Sequence, residues 1–132
     1  MTLCILVTGG HYRRRQAAIA ARLDPLITSA VIFEGIDRDD DLAGMRTTFP
    51  LPSTNLRTTS IAVGCPCCDG GMVMRVTLDR MLQRRPAQLY ISLASPAHLV
   101  HLQTYLAAAP YAARVTLAPA LDCDPESPTQ GR

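Results

Sequence analysis

Leu3-Cys4-Ile5-Leu6-Val7-Thr8-Gly9-Gly10-His11-Tyr12-Arg13-Arg14-Arg15-Gln16 opens the chain with an apolar run, two glycines and then a change of period. Leu3 to Val7 reads as a buried strand, because it is a short continuous apolar run closed by a turn signal. From Tyr12 to Leu23 the apolar positions Tyr12, Ile19 and Leu23 recur at helical offsets and share one face. A strand that turns sharply into a helix is the first half of a βαβ unit. Arg13, Arg14 and Arg15 crowd the first turn of that helix, where the helix dipole disfavours cations.

The alternation continues along the chain. Ala30 to Phe33 reads as a second strand, ending at Glu34-Gly35. Residues 36–57 look irregular, and their acidic run Asp37-Arg38-Asp39-Asp40-Asp41 reads as a solvated loop. Thr58 to Val63 reads as a third strand. Met72 to Arg84 reads as a helix, with Met74, Leu78, Met81 and Leu82 as core filler on one face. Gln88 to Leu93 is a fourth strand. Ser95-Pro96 has the form of a helix start, with serine as cap and proline at the first helical position. Leu99, Leu102 and Leu106 mark that helix's buried side, and Arg114 to Leu117 is a fifth strand. Apolar strands alternating with amphipathic helices predict an α/β fold, a mostly parallel sheet with helices on both faces. The pattern predicts a single domain over residues 1–118 and a disordered tail over 119–132, rich in Pro, Asp and Ser.

Composition bounds the function. A chain of 132 residues with 48% hydrophobic residues forms one domain with a real core. The net charge of +2 is too small to argue for nucleic acid. No apolar run approaches the ~20 residues of a membrane span. The start lacks a basic region before its apolar run, so it reads as a strand and not as a signal peptide. All 13 basic residues are arginine. The five cysteines, Cys4, Cys65, Cys67, Cys68 and Cys123, are an odd number with three crowded together, which makes a poor disulfide framework. Such thiols predict a reducing, cytoplasmic setting and metal or redox chemistry.

Gly64-Cys65-Pro66-Cys67-Cys68-Asp69-Gly70-Gly71 falls between a strand and a helix. Open α/β sheets bind their ligands at the carboxyl ends of strands. A following helix N-terminus favours thiolates, the form that binds soft metals. Tetrahedral zinc with outside ligands, near-linear Cu(I), a strained disulfide and inert buried thiols all fit this spacing; zinc fits it best. The cluster needs an outside ligand for a closed zinc site. Glu34, at another strand end, is the first candidate, and His98 and His101 follow.

The segment Gly64-Cys65-Pro66-Cys67-Cys68, after a strand and before a helix, resembles the GCxCC motif of the CobW-type metallochaperone GTPases. Leu3 to Gly9 is similar to that family's first strand and phosphate-loop opening. Val31-Ile32-Phe33-Glu34-Gly35 is similar to its second strand, whose acidic residue can join the metal site. Gln88 to Pro96 and Arg114 to Ala118 are similar to the Walker B strand and the strand after it. The resemblance implies a P-loop NTPase-like three-layer sandwich and a role in metal delivery, with zinc at Cys65, Cys67, Cys68 and Glu34. It also implies a client protein that receives the metal, and a homodimer is one way to complete a half-filled site.

The phosphate loop departs from the family pattern G-x-x-x-x-G-K-[ST]. Arg14 stands at its second glycine, Arg15 at its lysine and Gln16 at its magnesium-holding hydroxyl. No usual GTP hydrolysis is therefore expected, and Gly9, Gly10, Arg14 and Arg15 are left as a weak anion site. The alternatives are a residual GTP-binding or GTP-hydrolysing enzyme, and an interaction-only domain with redox-active thiols.

Overall fold

The order of strands, β3-β2-β4-β1-β5, places β4 at the centre of a single six-stranded sheet, between β2 and β1. This computed structural model describes residues 2–10, 12–34, 55–61, 72–94, 97–108 and 110–123. The strands are β1 (Thr2–Thr8), β2 (Ser29–Glu34), β3 (Leu56–Ile61), β4 (Gln88–Ser92), β5 (Val115–Leu117) and β6 (Leu121–Asp122). The helices are α1 (Tyr12–Arg22), α2 (Met72–Gln83) and α3 (His98–Ala107), followed by a 3-10 turn at Tyr111–Ala113. Every described strand pairing is parallel. The predicted α/β class is therefore what the chain adopts.

Side-chain alternation along the strands builds two cores. On one face Ile5, Val7, Val31, Phe33 and Tyr90 pack with Ile19 of α1. On the other, Cys4, Leu6, Ala30, Ile32 and Ile91 pack with Met74 and Leu78 of α2 and Leu102 and Leu106 of α3. The sheet is thus the middle of three layers. β1 and β2 are buried along nearly their whole length, which is why both read as continuous apolar runs.

Three expectations shift. The third strand begins at Leu56, earlier than expected, and so the irregular stretch read over 36–57 ends before it. The acidic run and residues 62–63 lie outside the described residues. The third helix has Ala97 at its N-cap, with no side-chain cap bond; Ser95 and Pro96 also lie outside the described residues. The sheet also continues past residue 118, because Leu121 and Asp122 pair with Val7 and Thr8. Leu117 faces Cys4 and Leu121 faces Val7, so three steps along β1 oppose four along β5 and β6. That is a one-residue bulge, and it falls around Pro119, which has no N–H to give a ladder.

Strand order fixes where a ligand site can lie. From β1 the chain crosses toward β2. From β4, which lies between them, it crosses over β1 to β5. The connections diverge at the carboxyl ends of β1 and β4, and a crevice opens there in sheets of this kind.

Candidate functional site

Thr8-Gly9-Gly10, Ser92-Leu93-Ala94 and Glu34 meet at that divergent edge, from the ends of β1, β4 and β2. Leu93 N–H donates to the Val7 carbonyl at 2.8 Å, tying the first two together.

Gly9 and Gly10 both take positive φ, 81° and 64°, to turn the chain directly into α1. A Cβ at Gly10 would lie 2.9 Å from the Cys123 carbonyl oxygen and 2.8 Å from Arg14 Cδ. Arg14 can swing away, but Cys123 is pinned by its N–H to Thr8 O at 2.7 Å. Gly10→Ala is therefore expected to destabilise the protein by about 2 kcal/mol, through strained φ and a backbone clash. Urea unfolding of the variant beside the wild type measures it, and an unchanged midpoint would refute this account of the turn.

α1 is already helical from Tyr12, so Arg14 and Arg15 stand on a helix at positions where a phosphate loop would still be open. Arg15 is 5% exposed. Its guanidinium folds back over the turn: Nε donates to Ser92 Oγ at 2.9 Å and Nη1 to the Gly10 carbonyl at 2.9 Å, with Gly9 O at 3.5 Å. Arg14 is exposed. Of the predicted anion residues, Gly9, Gly10 and Arg15 thus come together around Ser92. Ser92 has no sequence signal for this role, because it stands 77 residues from Arg15 and meets it only through strand order.

On the opposite face of the sheet, Glu34 is fully buried. Its Oε1 accepts the Ala94 N–H at 3.0 Å and lies 3.4 Å from His98 Nδ1. Glu34 and His98, both expected as outside ligands, are therefore neighbours. His101, one turn further along α3, is exposed. Glu34 is also the ladder partner of Ile61, the last described residue before the thiol segment. Cys65, Cys67 and Cys68 lie outside the described residues, and among those described no three His, Cys, Asp or Glu side chains gather as a metal site.

The two described cysteines are both free and buried. Burial pushes the Cys4 thiol up to about 12, so it stays protonated and inert. Burial also raises Cys123, against the opposing charges of Arg15 and Arg14. Thr8 Oγ1 and both amide atoms of Gln16 are buried without a hydrogen-bond partner among the described residues. Each such group costs about 1–3 kcal/mol, and here they fall at or near the edge where the strand ends meet.

Comparison with known protein families, with characterised proteins and with solved structures finds no match for this chain. The described residues define an α/β protein built on a parallel sheet, with Thr8, Ser92 and Glu34 gathered at the carboxyl ends of its strands. Among the described residues no helix is long and apolar enough to cross a membrane.

Proposed function

We propose that this protein binds zinc through Cys65, Cys67 and Cys68 at the carboxyl edge of its sheet, with Glu34 as the outside carboxylate. The observation that carries the reading is the setting of Glu34. A carboxyl group buried at a strand end is tolerated only where it is hydrogen-bonded, paired or bound to a metal. This one is the ladder partner of Ile61, from which the chain leads into the thiol segment. Three thiols and one carboxylate suit a borderline-soft divalent ion and match a tetrahedral donor set. His98, beside Glu34, would orient that carboxylate.

The reading includes no nucleotide-driven step. The Arg15 guanidinium is engaged with the Gly9 and Gly10 carbonyls and with Ser92, and α1 begins too early for a wrapped phosphate loop. The proposed role is metal capture and delivery to a client protein in a reducing cytoplasm, as a nucleotide-independent relative of the CobW-type proteins.

Elemental analysis of protein purified without chelator tests it. About one zinc per chain is expected, lost on Cys67→Ser with Cys68→Ser. Zinc-free wild type, or equal zinc in the double variant, overturns the reading.

A further inference from the structure

A second feature lies along β3, on the outer side of the sheet. Among the described residues β3 is the edge of the sheet on this side. Ser29 N–H donates to the Asn55 carbonyl at 2.8 Å, which fixes the phase of the parallel ladder. In that phase the N–H and C=O groups of Arg57 and Thr59 face β2, whereas those of Thr58 and Ser60 face outward. Side-chain alternation then sets the faces: Leu56 joins the α1-side core, and Ile61 joins the core under α2. Arg57 and Thr59 share the face of Ile61 and stand against α2.

Between β3 and the end of α2 runs a groove of about 540 Å³, lined by Arg57, Thr58, Thr59, Arg80, Gln83 and Arg84 over a floor of Met81. A smaller hollow of about 140 Å³ continues it past Arg57 and Arg84 toward Asn55. Arg57, Arg80 and Arg84 are exposed, and none has a carboxylate partner among the described residues. Among the described residues no acidic or aromatic side chain lines the groove. Arg80 and Arg84 suit the end of a helix, where the dipole favours cations. That does not account for Arg57, which arrives from a strand to complete three like charges around one trough.

The geometry points to this groove as a docking site for an extended acidic peptide, added to the sheet as a strand beside β3 and held by Arg57, Arg80 and Arg84. The outward N–H and C=O groups of Thr58 and Ser60 supply main-chain hydrogen bonds, the usual source of affinity in strand addition. The guanidiniums select carboxylates at alternate positions of the incoming strand. The described lining offers no aromatic ring for base stacking, on which single-stranded nucleic acid relies as well as on charge.

Fluorescence anisotropy tests this with a fluorescein-labelled peptide of alternating glutamate and valine. Three controls go with it: the glutamine–valine version, the same acidic peptide methylated on its backbone nitrogens, and a labelled single-stranded oligonucleotide. Saturable binding of the acidic peptide is expected. Arg57→Glu or Arg84→Glu should weaken it about tenfold, and so should backbone methylation, with circular dichroism reporting intact folds. Three results overturn the proposal: no binding by the acidic peptide, equal binding by the glutamine version, or tighter binding by the oligonucleotide.

Discussion

Glu34→Ala is expected to lower the free energy of unfolding by about 3 kcal/mol. Glu34 is fully buried, and its Oε1 gathers the Ala94 N–H and the His98 ring at the meeting of β2, β4 and α3. Alanine removes the acceptor, leaves the part-buried Ala94 N–H without it, and opens a void where the fully buried carboxylate packs. His98 suffers less, because its side chain is 23% exposed and can turn to solvent. Glu34→Gln keeps an acceptor for Ala94 and should cost only about 1 kcal/mol. The pair separates two roles. If the carboxylate is a zinc ligand, the glutamine variant should keep most of its stability and lose metal affinity. Chemical denaturation with and without added zinc reads both. Equal destabilisation by alanine and glutamine would contradict the contact scheme drawn for Oε1.

The second large effect is a loss of stability in alkali that traces to Cys4. This thiol has no exposed surface and sits between α2, α3 and the sheet. Its ordinary value of 9.0 is raised by burial to about 12. In the unfolded chain it ionises above pH 9, while in the folded protein it holds its proton. Its contribution is therefore fully present below pH 9 and is lost as pH rises toward 12. The loss is about 1.4 kcal/mol by pH 10 and about 4 kcal/mol by pH 12, at 1.36 kcal/mol per unit. Cys123 is raised in the same direction, as is Tyr111, whose hydroxyl donates to Asp79 Oδ1 at 2.8 Å. Both add to the slope. Urea midpoints at pH 7 and pH 10 measure it. Cys4→Ala should lower stability at pH 7 by a packing loss, yet flatten the dependence on pH. An unchanged slope in that variant would place the titration elsewhere.

The elements differ in how openly the chain declares them. β1, β2 and β4 are buried on both faces, so each needs unbroken apolar residues and is plain in the sequence. α2 is equally plain, because Met74, Leu78, Met81 and Leu82 must recur at helical spacing to reach one core. β3 is less legible. Leu56-Arg57-Thr58-Thr59-Ser60-Ile61 is apolar only at its ends, because an edge strand need not be covered along its length. β6 has no pattern of its own. Leu121 and Asp122 become a strand only because β1 outruns β5 and offers Val7 and Thr8 as partners.

The site divides in the same way. Local chemistry is written along the chain: the crowded thiols, the twin glycines before α1, and a carboxyl group closing an apolar strand. Which of these face one another is not. Placing β4 between β1 and β2 brings Ser92 to Arg15 on one face and Ala94 to Glu34 on the other. The same packing carries Arg57 to Arg84 across the edge of the sheet. Sequence alone determined the alternation of strands and helices, since burying one face imposes a period that neighbouring residues must satisfy. Tertiary structure decided the pairing of strand ends, since strand order depends on how all the layers pack together, and no local period records it.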